Sequence, residues 1–406
     1  MTTRRQFLRV SAAGIGLVSL SGAAPRVLCA AADCAPRARG ENVLVVVQLT
    51  GGNDGLNTLV PYGDPAYYAN RFTLAIGRDQ VLKLNDALGL HPSLRGLERL
   101  WQAGRLGIVQ GVGYPNPNRS HFESMDLWHT AHFAEGRLRR GWLGRYLDQL
   151  PAETVLAAIH YGGEEQPLAL AAERKLAVSL RSLDALRMEP LPGVSNDRFR
   201  QLLSDERDTP NRLLGFVQEN AQLAWLTGER LKEVASQTAR RSDYPASRLG
   251  QKLQVVASLI AADLPTRIYY VSLDGFDTHA NQAGAHTSLL TELGDALAAF
   301  QADLQQQGNG QRVLTMTFSE FGRRVRENAS RGTDHGTAAP MFFVGHGIHS
   351  GLLNSHPSLT DLQDGDLKHS VDYRQVYATV LQDWLHVDAP SIIGSEFDRL
   401  KLIAHQ

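Results

Sequence analysis

The sequence lacks an excess of charge of either sign. Its 406 residues carry 41 lysines and arginines against 42 aspartates and glutamates, for a formal net charge of −1. Proteins that bind nucleic acids or strongly anionic membrane surfaces usually have a basic excess, so the composition indicates neither kind of partner. Because 43% of the residues are hydrophobic and 20% are charged, the composition is that of an ordinary globular enzyme, and the length suffices for a sizeable core.

Long hydrophobic runs are also scarce. The apolar run from Val10 to Ala24 is too short and too rich in glycine and serine to span a bilayer. It follows a twin-arginine pattern, Thr3-Arg4-Arg5-Gln6-Phe7-Leu8. We therefore predict that residues 1–32 form a twin-arginine signal peptide, cleaved near Ala30 to Ala32, and that the protein is exported to the periplasm or the cell exterior. The alternative is an amphipathic first helix with two unrelated arginines.

Cysteine is nearly absent, since only Cys29 and Cys34 occur. Signal cleavage would remove Cys29, so no disulfide is expected within the mature chain and its core must supply the stability. The segment Arg26-Val27-Leu28-Cys29 is a poor lipoprotein box. We therefore expect no lipid anchor and no stable membrane insertion after the signal is removed.

Strand-like and helix-like segments alternate along the rest of the chain. Continuous apolar runs predict strands, and helical periodicity predicts helices, with a long helical stretch at about 180–262. The predicted strands are Val43 to Leu49, Leu106 to Val112, Val155 to Tyr161, Arg267 to Ser272, Arg312 to Phe318 and Met341 to Val344. The predicted helices include about Ser120 to His132, Ser247 to Ala262, Thr287 to Gln306 and Tyr373 to Leu385. This alternation predicts an α/β fold, with residues 33–42 as a linker and 43–406 as one domain with a helical insertion.

Several predicted strands end in polar, glycine-bearing turns. If the sheet is mostly parallel, these turns lie at one edge and converge, which is where open α/β sheets bind ligands. Carboxylate and imidazole side chains in such turns are the mixed ligands that divalent metals accept. The candidate metal ligands are Asp54, Asp277, His279, Asp334 and His335. The alternative interpretation is a set of turn and helix-capping residues beside solvent-facing histidines.

Ser120 begins a predicted helix and is the candidate nucleophile. A helix N-terminus stabilises an alkoxide, and the neighbouring Arg119 could neutralise an anionic substrate. The alternative is a plain N-cap, with Glu123 completing a capping box. Weaker candidates for ligands or anion-binding groups are His129, His132, Glu320, Arg323, Arg324, His346 and His349.

Four segments of the chain resemble one known family. They are Gln48 to Thr58, Tyr114 to Ala131, Gly275 to His279 and Thr333 to Gly336. Together they resemble the exported domain-of-unknown-function family 1501, which is itself similar to the alkaline-phosphatase and sulfatase superfamily. The resemblance implies an alkaline-phosphatase-like, mixed and largely parallel central sheet flanked by helices, with metal ligands and a nucleophile at the strand ends.

The resemblance also assigns roles to residues. It implies that Asp54, Asp334 and His335 bind one metal beside the nucleophile Ser120. Asp277 and His279 would begin a second site, completed by His346 or His349. The two-residue spacing of Asp277 and His279 departs from the superfamily pattern, and the chain has no sulfatase signature of the formylglycine type.

The sequence therefore predicts an exported, metal-dependent hydrolase of phosphate or sulfate esters. Its cofactor would be a divalent ion (zinc, manganese, magnesium or calcium), and its substrate an anionic ester. The second hypothesis is a cell-envelope binding or assembly protein that keeps the fold with a degraded site and binds envelope partner proteins. A third is a metal-free hydrolase that uses Ser120 with His121 or His129, although no Gly-x-Ser-x-Gly elbow surrounds Ser120.

Overall fold

The computed structural model describes residues 41–132, 140–151, 154, 156–163, 165–175, 177–182 and 243–404. The signal peptide predicted at residues 1–32, most of the predicted linker and most of the predicted helical insertion lie outside the described residues. The part of that insertion from Arg248 to Ala261 is described, and it is a helix as predicted.

The main sheet has nine strands and is mixed but largely parallel. Its order is β11-β5-β10-β9-β1-β8-β6-β7, with β14 also paired to β5. Only β10 runs antiparallel to its neighbours, β5 and β9. The strands of this sheet are β1 (Val43–Thr50), β5 (Leu106–Gly113), β6 (Ala158–Tyr161), β7 (Ala177–Leu180), β8 (Ile268–Asp274), β9 (Val313–Phe318), β10 (Ala339–Val344), β11 (Gly351–Leu352) and β14 (Val371–Asp372). The predicted fold class is confirmed.

Two small sheets complete the strands. One has three strands, β2 (Leu59–Val60), β3 (Leu82–Lys83) and β4 (Gly89–Leu90). The other is a hairpin of β12 (Leu362–Gln363) and β13 (Asp366–Leu367).

Helices cover both faces of the main sheet. They are α1 (Gly55–Thr58), α2 (Pro65–Asn70), α3 (Arg95–Gln102), α4 (His121–Thr130), α5 (Trp142–Leu147), α6 (Arg248–Ala261), α7 (Gln282–Gln306), α8 (Tyr373–Thr379) and α9 (Ala389–Ile393). Short 3₁₀ turns occupy Leu168–Leu170 and Gly310–Arg312, and a π-helical turn at Val380–Trp384 follows α8 directly. That turn replaces the end of the uninterrupted helix predicted from Tyr373 to Leu385.

The apolar run of β1 explains why helices lie on both sides. Alternate residues of a strand point to opposite faces. Leu44 and Val46 accordingly pack into a core with α4, α5, α8 and α9, whereas Val45 and Val47 pack into a second core with α3, α6 and α7. Both cores are continuous along the sheet, so β1 is buried from both sides and its carboxyl end is held rigidly.

Candidate metal centre

Three adjacent parallel strands end at the site. β1 pairs with β8 on one side and with β9 on the other, and the three strands end at Thr50, Asp274 and Phe318. The turns that follow bring the segments Gly51 to Asp54, Asp277 to His279 and Ser319 to Arg323 to the same edge of the sheet. The convergence expected of a parallel sheet is therefore observed.

A compact group of potential metal ligands lies at this edge. Ligand atoms of His121, Asp277 and His335 all lie within 4.8 Å of one another. His335 Nε2 lies 3.2 Å from Asp277 Oδ1, and His121 Nε2 lies 3.5 Å from Asp277 Oδ2. His279 adjoins the group, because its Nε2 lies 3.0 Å from Asp277 Oδ1 and 2.9 Å from His335 Nε2. We call His121, Asp277 and His335 the ligand cluster.

Hydrogen bonds hold both cluster histidines in the tautomer that a metal requires. His335 Nδ1 lies 2.8 Å from the carbonyl oxygen of Arg119, which can only accept, so Nδ1 carries the proton and the Nε2 lone pair faces Asp277. His121 Nδ1 lies 2.8 Å from Oε1 of the buried Glu320. Histidines that ligate metals usually donate their other ring N–H to a carbonyl or carboxylate in this way.

The environment of His121 Nε2 shows whether the cluster fits a metal. His121 Nε2 is buried and has no hydrogen-bond partner among the described residues. A buried polar atom without a partner is unfavourable by roughly 1–3 kcal/mol, so such atoms are uncommon in folded proteins. The atom faces Asp277, and two imidazoles with one carboxylate form a common donor set for a divalent ion. The residues therefore fit a metal.

Arg323 crosslinks the turns around the cluster. Its side chain is fully buried and donates to the carbonyls of Gly51, Gly52, Phe276 and Thr333, joining the turns after β1 and β8 to the loop that carries His335. It also donates from Nη2 to Asp277 Oδ1 at 2.7 Å. Partial burial would raise the pKa of Asp277, but the hydrogen bond and the positive charge of Arg323 lower it to about 2. Asp277 is therefore ionised at neutral pH.

Asp54 lies apart from the ligand cluster. Its carboxylate is fully buried and makes two hydrogen bonds with Arg71, at 2.5 and 2.9 Å, and a third with Gln282 at 2.5 Å. Burial would raise the pKa of Asp54, but the Arg71 guanidinium outweighs it and the pKa is lowered. Both carboxylate oxygens of Asp54 thus take part in a buried ion pair with Arg71. The role of Asp54 as a metal ligand stays a prediction.

Asp334 and His279 form the exposed rim of the site. Asp334 Oδ1 accepts from Asn328 Nδ2 at 3.0 Å and lies 3.4 Å from His279 Nδ1, and the hydrogen bond from Asn328 lowers the pKa of Asp334. Both side chains are about half exposed. Of the adjacent pair Asp334 and His335, only His335 belongs to the ligand cluster.

Ser120 is the N-cap residue of α4, directly before His121. Its side chain makes no capping hydrogen bond, so the predicted capping box is not formed, and Glu123 instead accepts from Asn118. The hydroxyl is only partly buried. The arrangement leaves it uncommitted at the N-terminus of a ten-residue helix. The side chain of Arg119 donates two hydrogen bonds to the carboxylate of Asp366.

The remaining histidine candidates lie elsewhere. His129 faces the interior, where its Nε2 lies 3.1 Å from both Gln48 Oε1 and Tyr270 Oη, and burial lowers its pKa to about 3. His132 packs near Gly394. His346 lies beside Gly310, before the start of β9, and His349 follows the antiparallel β10, so both lie at the opposite edge of the sheet. The expectation that one of them completes a second site with Asp277 and His279 is therefore wrong.

His121 and Arg323 are the site residues whose roles sequence reasoning missed. The sequence predicts His121 only as a general base for Ser120, and Arg323 only as a weak candidate for an anion-binding group. The signal for His121 was its place in the turn after β5, next to Ser120. No local signal identified Arg323, because its partners come from three distant turns.

Comparison with protein families gives a match over most of the chain. A family model described as "Protein of unknown function (DUF1501)" matches residues 41–399. None of the curated proteins matches the sequence significantly. Among the described residues, no helix is both long and apolar enough to cross a membrane.

Several solved structures are similar in fold. The C-terminal periplasmic domain of EcEptC from Escherichia coli is 10% identical with a TM-score of 0.38, covering 90% of each chain. A PsFucS1 sulfatase from Pseudoalteromonas sp. is 12% identical with a TM-score of 0.36, covering 83% of this chain and 69% of the other. A TAB5 alkaline phosphatase with bound Mg is 11% identical with a TM-score of 0.34, covering 76% and 92%. Likenesses this distant concern the fold and do not indicate an activity for this chain.

Proposed function

The chain belongs to the DUF1501 family, and we propose that it is an exported, metal-dependent hydrolase of phosphate or sulfate esters. One observation carries the proposal. His121, Asp277 and His335 present ligand atoms within 4.8 Å of one another, and the His121 nitrogen that faces Asp277 is buried without a hydrogen-bond partner among the described residues. The hydroxyl of Ser120, the residue before His121, makes no capping hydrogen bond and would supply the nucleophile.

The ligand cluster would hold one divalent ion. His121 Nε2, His335 Nε2 and one oxygen of Asp277 would be its ligands, with His279 at the rim. Two nitrogens and one carboxylate suit zinc or manganese better than magnesium or calcium, which prefer oxygen ligands alone. When bound, such an ion acts as a Lewis acid that polarises the ester and stabilises the charge that develops on it.

Arg323 takes the place of a second ion in this proposal. Its buried guanidinium lies 2.7 Å from Asp277 and adjoins His279, at a centre where the resemblance implies two metals. Because its hydrogen bonds go to the protein, Arg323 would fix and ionise Asp277 and would not bind substrate itself. We therefore propose a centre with one metal.

Ser120 would act as the nucleophile. Its oxygen would form a bond to the phosphorus or sulfur atom while the bond from that atom to the leaving oxygen breaks. The serine proton would pass to solvent, and the leaving oxygen would take a proton from solvent to depart as the alcohol. The N-terminus of α4 favours the negative charge on the attacking oxygen, typically by about 0.3–1 kcal/mol. Water would then release the phosphate or sulfate from the serine and restore the hydroxyl.

Turnover of aryl phosphate and aryl sulfate esters tests the proposal. We expect Ser120→Ala to lower kcat by more than about a thousandfold, as for other catalytic nucleophiles, while metal content stays unchanged. Ser288→Ala is the matched control, because Ser288 lies on α7 and bonds only to Gly284 of the same helix. Full activity of Ser120→Ala would exclude Ser120 as the nucleophile.

A second candidate is a cell-envelope binding protein with a degraded site. Asp54, which the resemblance implies is a ligand, is committed to Arg71, and the predicted second metal site is incomplete. This alternative predicts a folded protein that turns over no ester, whichever metal the cluster binds.

Export is the remaining part of the proposal and rests on the twin-arginine pattern. We expect replacement of Arg4 and Arg5 by lysine to block export, since twin-arginine signals require both. Fractionation of cells that produce the full chain measures this, and unchanged export would contradict it.

A further inference from the structure

A second arrangement of charged groups lies next to the ligand cluster. Arg119 and Arg324 both bind the carboxylate of Asp366, which belongs to the β12–β13 hairpin and has no exposed surface. Arg119 donates from Nε, at 2.9 Å, and from Nη2 to Asp366 Oδ2, and Arg324 donates from Nε to Oδ1 at 3.2 Å. Both oxygens of the carboxylate are therefore occupied.

Arg119, Arg324 and Asp366 together carry a net positive charge. A buried carboxylate needs one cation to compensate it, and a single arginine binding with two hydrogen bonds does so. The second arginine leaves a net charge of +1 on groups whose side chains remain 43% and 37% exposed. Within the described part of the chain, neither Nη1 donates a hydrogen bond, so each guanidinium keeps donors for a ligand.

The hairpin is shaped around these arginines. Arg324 Nη2 also donates to the carbonyl of Asp364 in the hairpin turn. The next residue, Gly365, has a φ of +82°, and a Cβ there would lie 3.3 Å from Arg324 Nη2. The close approach and the left-handed backbone both favour glycine at this position. The Asp361 carboxylate of the same hairpin is already paired with Lys368.

The two arginines lie beside the ligand cluster and not within it. The carbonyl of Arg119 accepts the Nδ1 proton of His335, which is the ring edge opposite the Nε2 that faces Asp277. The backbone N–H of Arg324 donates to the carbonyl of Asp334. The side chains of both arginines instead bind Asp366 of the hairpin, so an anion held by them would lie outside the ligand cluster.

We propose that Arg119 and Arg324, oriented by Asp366, form an anion subsite that selects substrates with a second phosphate, sulfate or carboxylate group. This inference rests on the proposed function, since it names the substrate class of the same site. Planar guanidinium groups bind such oxyanions through paired hydrogen bonds, which explains why two arginines are fixed here.

Sulfate binding to the metal-free protein tests the subsite. The full mature chain, stripped with chelator, is titrated with sodium sulfate at low ionic strength by calorimetry. We expect saturable binding, and a dissociation constant raised at least about tenfold in Arg324→Gln, as for the loss of hydrogen bonds to a charged group. Arg326→Gln is the matched control, because its guanidinium lies over the ring of the exposed Phe72, 5.7 Å from the ring centroid, and we expect sulfate affinity like that of the wild type. No saturable binding, or equal losses in both variants, would overturn the subsite.

A kinetic comparison gives a second readout. The wild type should have a lower KM for an aryl phosphate that carries a carboxylate than for the same aryl phosphate without the carboxylate, with similar kcat. Arg324→Gln should remove this difference in KM, and a preserved difference would overturn the proposal. Because the sulfate titration needs neither metal nor turnover, its failure is distinguishable from a failure of the proposed hydrolase activity.

Discussion

Replacement of Glu320 by glutamine perturbs the metal centre without touching a ligand. Oε1 of the buried Glu320 lies 2.8 Å from His121 Nδ1 and accepts the N–H of Gly51 at 2.8 Å, while Oε2 accepts from Ser319 at 3.1 Å. A glutamine has the same shape and can still accept the hydrogen bonds of His121 and Gly51 through Oε1. Its amide nitrogen can donate to the Ser319 hydroxyl, whose own proton can go to the Leu49 carbonyl. The substitution therefore removes the negative charge and leaves the geometry in place.

The expected loss follows from that charge. A carboxylate behind a ligating histidine makes the imidazole a stronger donor, and removing such a partner typically lowers metal affinity by about 10- to 100-fold. This corresponds to about 1.4–2.7 kcal/mol. Because Glu320 is almost completely buried, solvent screens little of the effect. The hydrogen bond that His121 donates to Glu320 is also the main reason that the pKa of His121 is raised, so the variant should lower that pKa.

Competition with a chromophoric chelator measures the affinity for zinc or cobalt in both proteins. Glu327→Gln is the matched control, because this buried carboxylate accepts from the backbone of Thr73 and Leu74, away from the cluster. We expect its metal affinity to stay within about twofold of the wild type even though its stability falls. If Glu320→Gln folds normally and binds metal as tightly as the wild type, His121 is not the ligand that we infer.

Three further predictions concern stability and the loops of the site. Burial lowers the pKa of four histidines to about 3 or 4, so the unfolded chain binds more protons than the folded chain below pH 6.5. Urea unfolding should therefore show the free energy of unfolding falling by up to about 5 kcal/mol per pH unit as the pH is lowered from 6.5 to 4. A constant free energy of unfolding over this range would contradict the prediction. The four are His91, His129, His160 and His286. Asp54→Asn should lower the free energy of unfolding by about 3–5 kcal/mol because Arg71 loses its buried partner, yet keep the metal affinity; loss of metal would instead make Asp54 a ligand. Gly336→Ala should weaken metal binding and lower stability by about 1–3 kcal/mol, because a Cβ would lie 2.5 Å from the Arg323 carbonyl carbon. Gly284→Ala is the control and should do neither, because a Cβ there meets nothing within 4 Å.

The fold could be predicted from the sequence because its signals are local. The β-branched run of β1 indicated a strand buried on both faces, and the structure confirms it, with Val45 and Leu44 in opposite cores. The parallel arrangement then predicted that the turns after β1, β8 and β9 converge. These inferences required only periodicity and the geometry of sheets.

The membership of the ligand cluster could be predicted only in part. Asp277 and His335 were identified by their turns, but the His121 ring is oriented by its contact with Glu320, a residue 199 positions away. Asp54 lies in a similar glycine-bearing turn, yet its carboxylate pairs with Arg71. Arg71 is 17 positions away and belongs to no recognisable motif. Which turn residue faces a metal and which faces an arginine depends on partners that no local pattern encodes.

Metal content is the most direct test of the central claim that His121, Asp277 and His335 hold an ion. Elemental analysis of the mature protein, purified without chelator, should find about one equivalent of a divalent metal, as expected of a single three-ligand site. The same analysis of Asp277→Ala should find less than about a tenth of an equivalent, because one of the three ligands is lost. A wild-type protein with less than about half an equivalent, or a variant that keeps its metal, would contradict the account.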